Sequence, residues 1–162
     1  MSPVRRTFRF LTLALATVQL VGSAGAPLYE AFTARQVATA EHVAPYEVAK
    51  PVIFAIPRGY FMAVVPADSD VNLKALRRVV GAQDLRLATE DEMTALFPDA
   101  ELGAMPPIGE LYGLPMYVDR SLAAQKEIIF NGGTHREAVH MRYDDWERIA
   151  HPEMAGIARM RN

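Results

Sequence analysis

The chain has 162 residues, of which 51% are hydrophobic and 22% charged, and a formal net charge of -2. This is the length and apolar content of one globular domain with its own core, and the charge argues against broad contact with nucleic-acid phosphates, which a basic surface would serve, while leaving contact with the tip of an RNA open. The lack of cysteine excludes disulfides, thiolate nucleophiles and cysteine-based zinc sites.

The N-terminus opens with basic residues (SPVRRTFRF), continues as an apolar run (LTLALATVQLVGSAGA) and reaches a small-x-small end at Ala24-Gly25-Ala26. This is the outline of a signal peptide, and Arg5-Arg6 resembles a twin-arginine signal. The run is too short and interrupted for an ordinary membrane span. The other reading is an N-terminal helix packed on the domain, with Phe10, Leu11, Leu13, Leu15, Val18 and Leu20 on one broad face. A helix is then expected after Pro27, capped by Thr33 with Gln36 closing the box.

Residues 52–56 and 60–65 are rich in β-branched and aromatic side chains and flank Pro57-Arg58-Gly59, so they read as a β-hairpin. Asp70 can cap a helix over 71–80, which Gly81 ends. Residues 85–88 read as a short strand. Thr89 and Glu92 have the spacing of a capping box for a helix over 90–97, stopped by Pro98. A loop rich in glycine and proline follows (ELGAMPPIGELYGLP). Strands are expected at 115–118, 127–130 and 138–143, with a single helical turn at 121–125 and a turn at Asn131-Gly132-Gly133. Asp144 and Glu147 suggest a capping box for a last helix over 145–150, and the final residues, GIARMRN, read as a loose end. The irregular order of strands and helices predicts an α+β fold: one domain, a mixed and mostly antiparallel β-sheet surrounded by helices. The expected organisation is an apolar N-terminal segment over 1–30, the domain over 31–152 and a tail over 153–162.

Three places carry more chemistry than a scaffold requires. Lys50, between Ala49 and Pro51, directly precedes an apolar strand. It reads either as a solvated lysine at a strand entrance or as an ammonium aimed at a carbonyl or phosphate oxygen. The stretch Gly103-Ala104-Met105-Pro106-Pro107-Ile108-Gly109 is either a rigid crossover or a wall that presents its backbone to a ligand, since glycine permits close approach and proline limits the entropy lost on binding. Asn131-Gly132-Gly133-Thr134-His135 is either a hairpin turn with a polar flank or a nest of backbone N–H groups beside a hydroxyl and an imidazole. The histidine spacings match no zinc motif and no Ser-His-Asp order stands out, so no metal, cofactor or covalent nucleophile is expected. Met105, Ile108, Met116 and Phe130 read as plain core or as pocket shapers.

In this order, Lys50 before a buried strand, the Gly103-to-Pro107 Gly-x-x-x-Pro loop, PMYVDRSL and the Gly-Thr-His turn resemble the YbaK/prolyl-tRNA-synthetase-associated domain, from about Ala31 to Pro152. The resemblance implies an aminoacyl-tRNA deacylase, a hydrolase that removes a wrong amino acid from the 3′-terminal adenosine of a tRNA (trans-editing). It implies that Lys50 is the essential lysine, that Gly103 and Pro107 belong to the substrate loop, and that Gly133, Thr134 and His135 line the pocket. It implies a cytoplasmic protein that meets the acceptor end of mischarged tRNA and can work beside an aminoacyl-tRNA synthetase; a monomer with no membrane association is expected. Two features depart from the family pattern: the opening is unusually apolar, and Pro51 stands where many relatives carry a hydroxyl residue. The competing readings are a binding module of the same fold, without catalysis, for a tRNA end or a nucleotide, and an exported small-molecule binder if residues 1–26 are a signal peptide.

Overall fold

The computed structural model describes residues 19–21 and 42–161. Of the apolar opening, β1 (Gln19–Val21) is described, and it is a strand rather than part of a helix. The helix expected to be capped by Thr33 lies outside the described residues. A 3-10 turn (Pro45–Glu47) leads into β2 (Ala49–Ile56), β3 (Gly59–Pro66) and β4 (Ser69–Val71). Then come α1 (Leu73–Val80), β5 (Arg86–Leu87), α2 (Glu90–Leu96), a second 3-10 turn (Gly109–Tyr112), β6 (Met116–Asp119) and α3 (Arg120–Ala123). The chain continues with β7 (Glu127–Asn131), β8 (Ala138–Arg142), α4 (Tyr143–Ala150), β9 (Glu153–Ala155) and β10 (Ala158–Met160). This is the expected α+β class.

The β2–β3 hairpin is the spine. Its eight-residue strands pair from Ala49–Pro66 to Ile56–Gly59, and Gly59 sits at φ +135°, a conformation only glycine takes without strain. Around this hairpin a five-stranded sheet runs in the order β5-β2-β3-β6-β9. The β5-β2-β3 half is antiparallel, whereas β3-β6-β9 is parallel. Residues Phe61 to Val65 of β3 are all buried, as a central strand covered on both faces requires. A second, antiparallel sheet has the order β1-β8-β7, and β10 pairs with β4.

The two faces of the spine carry separate cores. Ile53, Met62 and Val64 pack with Met105, Ile108, Ile128, Phe130 and Trp146. Phe54, Phe61, Ala63 and Val65 pack with Leu76, Leu85 and Ile157. Pro51 fits inside β2 for a topological reason. Ile53 O accepts from Ala88 N, so the odd-numbered residues of β2 turn their peptide groups toward β5. That strand pairs only with Phe54 and Ala55, so Pro51 removes an N–H from a length of edge that β5 does not reach.

Several local expectations need correction. Asp70 is not the cap of α1: Ser69–Val71 is drawn into β4, so the helix starts later, with Asn72 Oδ1 accepting from Ala75 N at 3.1 Å. Gly81 ends it in the left-handed region, as expected. The Thr89/Glu92 box forms. The Asp144/Glu147 box does not, because β8 passes straight into α4 at Tyr143, which leaves Asp144 inside the first turn; there it still complements the positive end of the helix. The GIARMRN stretch read as a loose end instead contains β10, with Ile157 buried between it and β9.

Candidate active site

Lys50, Gly103 and Gly133 are far apart in sequence, and two features of the fold draw their segments together. The first is a parallel bridge between Val48 and Ile129. Lys50 and Asn131 each lie two residues beyond that bridge. The second is a lacing of hydrogen bonds between the loop and the β7–β8 turn. Glu101 N donates to Gly133 O (2.8 Å), and Gly133 N donates to Ala104 O (3.0 Å). His135 N donates to Glu101 Oε2 (2.8 Å), and His135 Nε2 meets Leu102 O at 2.9 Å. Gly103 (φ +87°) and Gly133 (φ +108°) occupy the left-handed half of backbone space, which explains glycine at both places.

The lysine belongs to the face of β2 that carries Val52, Phe54 and Ile56, opposite Val65 of β3. Its side chain is 23% exposed. Its ammonium donates to Ser69 O at 2.5 Å and stands 4.0 Å from Asp70 Oδ1. Sequence reasoning assigned neither Ser69 nor Asp70 to the site, because only β4 folding back beside β3 brings them to Lys50.

The Gly-Pro loop is less open than a ligand-facing wall would be. Gly103 is exposed, but Ala104, Met105, Pro106, Pro107, Ile108 and Gly109 are buried. Met105, Ile108, Met116 and Phe130 all belong to the core, which is the plainer of the two readings open to them. Met105 Sδ also accepts from Gly103 N at 3.2 Å. Trp146 of α4 donates from Nε1 to Pro107 O at 2.9 Å, within the core. The loop is therefore a clamped crossover whose exposed tip is Gly103. On the turn, Gly133 is buried while Thr134 and His135 are half-buried; Thr134 Oγ1 donates to Glu137 Oε2 at 3.3 Å. The accessible residues of the loop and turn thus include Gly103, Thr134 and His135, while the Lys50 ammonium is directed to Ser69 and Asp70.

Trp146 makes the loop position testable. Changing Trp146→Phe keeps an aromatic ring but leaves the Pro107 carbonyl without its donor, an expected loss of about 1–3 kcal/mol. Chemical denaturation of wild type and variant measures it, and an unchanged midpoint would show that the bond contributes nothing.

The geometry has relatives. A family model described as the aminoacyl-tRNA editing domain matches residues 29–149. The proline–tRNA ligase of Fervidobacterium nodosum is 30% identical over 100 residues, which are 62% of this chain and 17% of that enzyme. That of an Anaeromyxobacter species is 30% identical over 126 residues, 74% of this chain and 21% of the enzyme. The chain therefore spans about a fifth of the length of these ligases. A crystal structure of a candidate trans-editing enzyme for prolyl tRNA synthetase superimposes with a TM-score of 0.80 at 24% identity, covering 98% of this chain and 99% of that one. The fold and the family match agree on the class: this is an aminoacyl-tRNA editing domain. The chain belongs to that family, as its ordered motifs suggested.

Proposed function

We propose that the protein is a deacylase that hydrolyses the ester of mischarged aminoacyl-tRNA, acting in trans on the acceptor end. The observation that carries this reading is the lacing of the loop tip at Gly103 to the Thr134-His135 turn, with Lys50 two residues beyond the bridge that ties β2 to β7. Family membership supports the substrate class.

An aminoacyl ester is already activated, so the protein's task is to hold the carbonyl and stabilise the charge that develops on it. A water oxygen attacks the carbonyl carbon and a new C–O bond forms. The bond from that carbon to the ribose oxygen breaks, and the proton lost by the water ends on the ribose oxygen. Lys50 Nζ supplies a positive donor to the oxyanion. Gly103, in the absence of a side chain, lets the substrate approach the loop, and Thr134 and His135 border the amino acid or the terminal ribose. The buried residues Ala104 to Pro107 act by holding that tip in place. The net charge of -2 fits recognition confined to the end of the tRNA rather than a long backbone track. Such a substrate places the protein in the cytoplasm.

A second reading, a binding module without catalysis, is favoured by one observation: the Lys50 ammonium is already hydrogen-bonded within the protein, to Ser69 O. Deacylation of a panel of mischarged tRNAs separates the two. The deacylase reading expects release of free amino acid from one or a few pairs, leaving intact tRNA. Decay no faster than the spontaneous rate across the panel, with a folded protein, would leave the binding module.

A further inference from the structure

Lys50 has a counter-ion, and that counter-ion is held by something else. Asp70 of β4 receives Arg161 through both carboxylate oxygens: Nη2 to Oδ1 at 2.5 Å, and Nε to Oδ1 and Oδ2 at 3.2 and 3.3 Å. The arginine is placed there by the strand that ends the described chain. β10 pairs with β4 so that Arg159 lies opposite Asp70, and Arg161 N donates to Asp68 O at 3.2 Å. The same carboxylate stands 4.0 Å from Lys50 Nζ, beyond hydrogen-bond reach. A forked guanidinium is the better partner for a carboxylate, so Arg161 wins the competition and the lysine turns to the carbonyl of Ser69.

We propose that Arg161 is a positioning residue for Lys50: by occupying Asp70 it keeps that carboxylate from closing on the ammonium and neutralising it as an oxyanion partner. The C-terminal strand, remote in sequence from every motif of the site, is then part of the catalytic apparatus. This rests on the deacylase reading for its effect on rate, but the competition for Asp70 does not. Without Arg161, the Asp70 carboxylate moves the short distance to Lys50. The ammonium then gives its charge to a resident anion rather than to a developing one. The charged groups on these elements are Asp68 and Asp70 on the β4 side and Arg159 and Arg161 on the β10 side.

The test is a double-mutant cycle with Arg161→Gln, Asp70→Asn and the two combined. Arg161→Gln is expected to lower kcat/KM for the mischarged tRNA by about tenfold, a coupling of the size found between adjacent charges. Adding Asp70→Asn removes the carboxylate that would close on Lys50, so the double variant should recover most of that loss. A merely structural role for Arg161 gives no recovery, since two weakened contacts do not restore one another. A parallel measurement is independent of catalysis. The chain has three lysines, Lys50, Lys74 and Lys126, so 13Cε NMR of labelled lysine can follow Lys50 alone. Its titration should move to higher pH in Arg161→Gln, as a closer carboxylate favours the ammonium, and fall back in the double variant. An unmoved Lys50 titration, or a double variant no more active than Arg161→Gln, would overturn the proposal. If wild type deacylates nothing, the deacylase reading fails, and the NMR series alone decides whether Arg161 governs the Lys50–Asp70 pair.

Discussion

Lys50→Ala is expected to lose about 10²–10³-fold in deacylation rate, the usual cost of removing one donor to a developing oxyanion, while remaining folded. The physical grounds are separate for the two halves. The rate should fall because a positive donor near the carbonyl is worth more in the transition state, where the oxygen gains charge, than in the ground state. The fold should survive because Lys50 is part-exposed and its contacts include a hydrogen bond to the Ser69 carbonyl and a wide ion pair with Asp70, neither of them in the core. Losing the bond costs about 1 kcal/mol, against total stabilities of about 5–15 kcal/mol. Lys50→Arg should restore only part of the rate, because a planar fork does not place its donors where a compact ammonium does. Single-turnover deacylation of the best substrate from the panel, with circular dichroism on each variant, measures both halves. A fully active Lys50→Ala would remove the lysine from the mechanism and leave the loop and turn to account for any hydrolysis.

The largest effect on stability is expected at Asp119, which the sequence marked only as part of the PMYVDRSL stretch. It ends β6, and its buried carboxylate joins two parts of the chain. Oδ1 accepts from Ser121 N at 2.9 Å and from Ser121 Oγ at 2.6 Å, capping α3. Oδ2 accepts from Ile157 N and Ala158 N, both at 2.7 Å, which anchors the turn between β9 and β10. In Asp119→Asn the amide nitrogen must face one of these donor pairs with donors of its own. The expected loss is about 2–4 kcal/mol, from a charged acceptor removed and buried donors left unpaired. Asp119→Ala should cost at least as much. Because this anchor holds β10, and β10 carries the chain to Arg161, limited proteolysis of the variant should first release the C-terminal segment.

Asp119 also sets a pH dependence. Burial pushes its carboxyl upward, but the hydrogen bonds from Ser121, Ala158 and Ile157 together outweigh burial and hold it below the usual carboxylate range. A carboxyl with a folded pKa below its unfolded value, about 3.9 for aspartate, stabilises the fold fully above that value. The contribution is lost as pH falls through the lower folded value. Wild type should therefore lose stability between about pH 4 and the onset of acid unfolding, and the Asn variant should show a shallower slope there. Equal slopes in urea melts taken at falling pH would count against Asp119 as the source.

Local signals were legible where one residue forces one conformation. Gly59 and Gly81 allow backbone angles that other residues resist, and the turn of the hairpin and the end of α1 fall where they stand. The Thr89/Glu92 box starts α2 because both partners lie within three residues of each other. The same logic misled at Asp70 and at Asp144. Asp70 was claimed by a strand whose partner lies about 90 residues away, and Asp144 fell inside a helix that β8 had already begun.

The order of motifs determined the family and the α+β class and marked three candidate segments, because glycine, proline and a strand-entrance lysine each leave a local mark. What those segments do to one another was decided only by the tertiary structure. Parallel pairing joins strands that carry no information about their partners, so the tie between the start of β2 and β7 depends on the Val48–Ile129 bridge. An apolar loop residue looks the same in sequence whether it lines a pocket or fills a core, and packing assigned Met105 and Ile108 to the core. The terminal strands are three residues each, too short to carry a strand signal of their own. They exist because β6 and β4 offer open edges and the Asp119 carboxylate ties down the turn between them, an outcome that folding alone reveals.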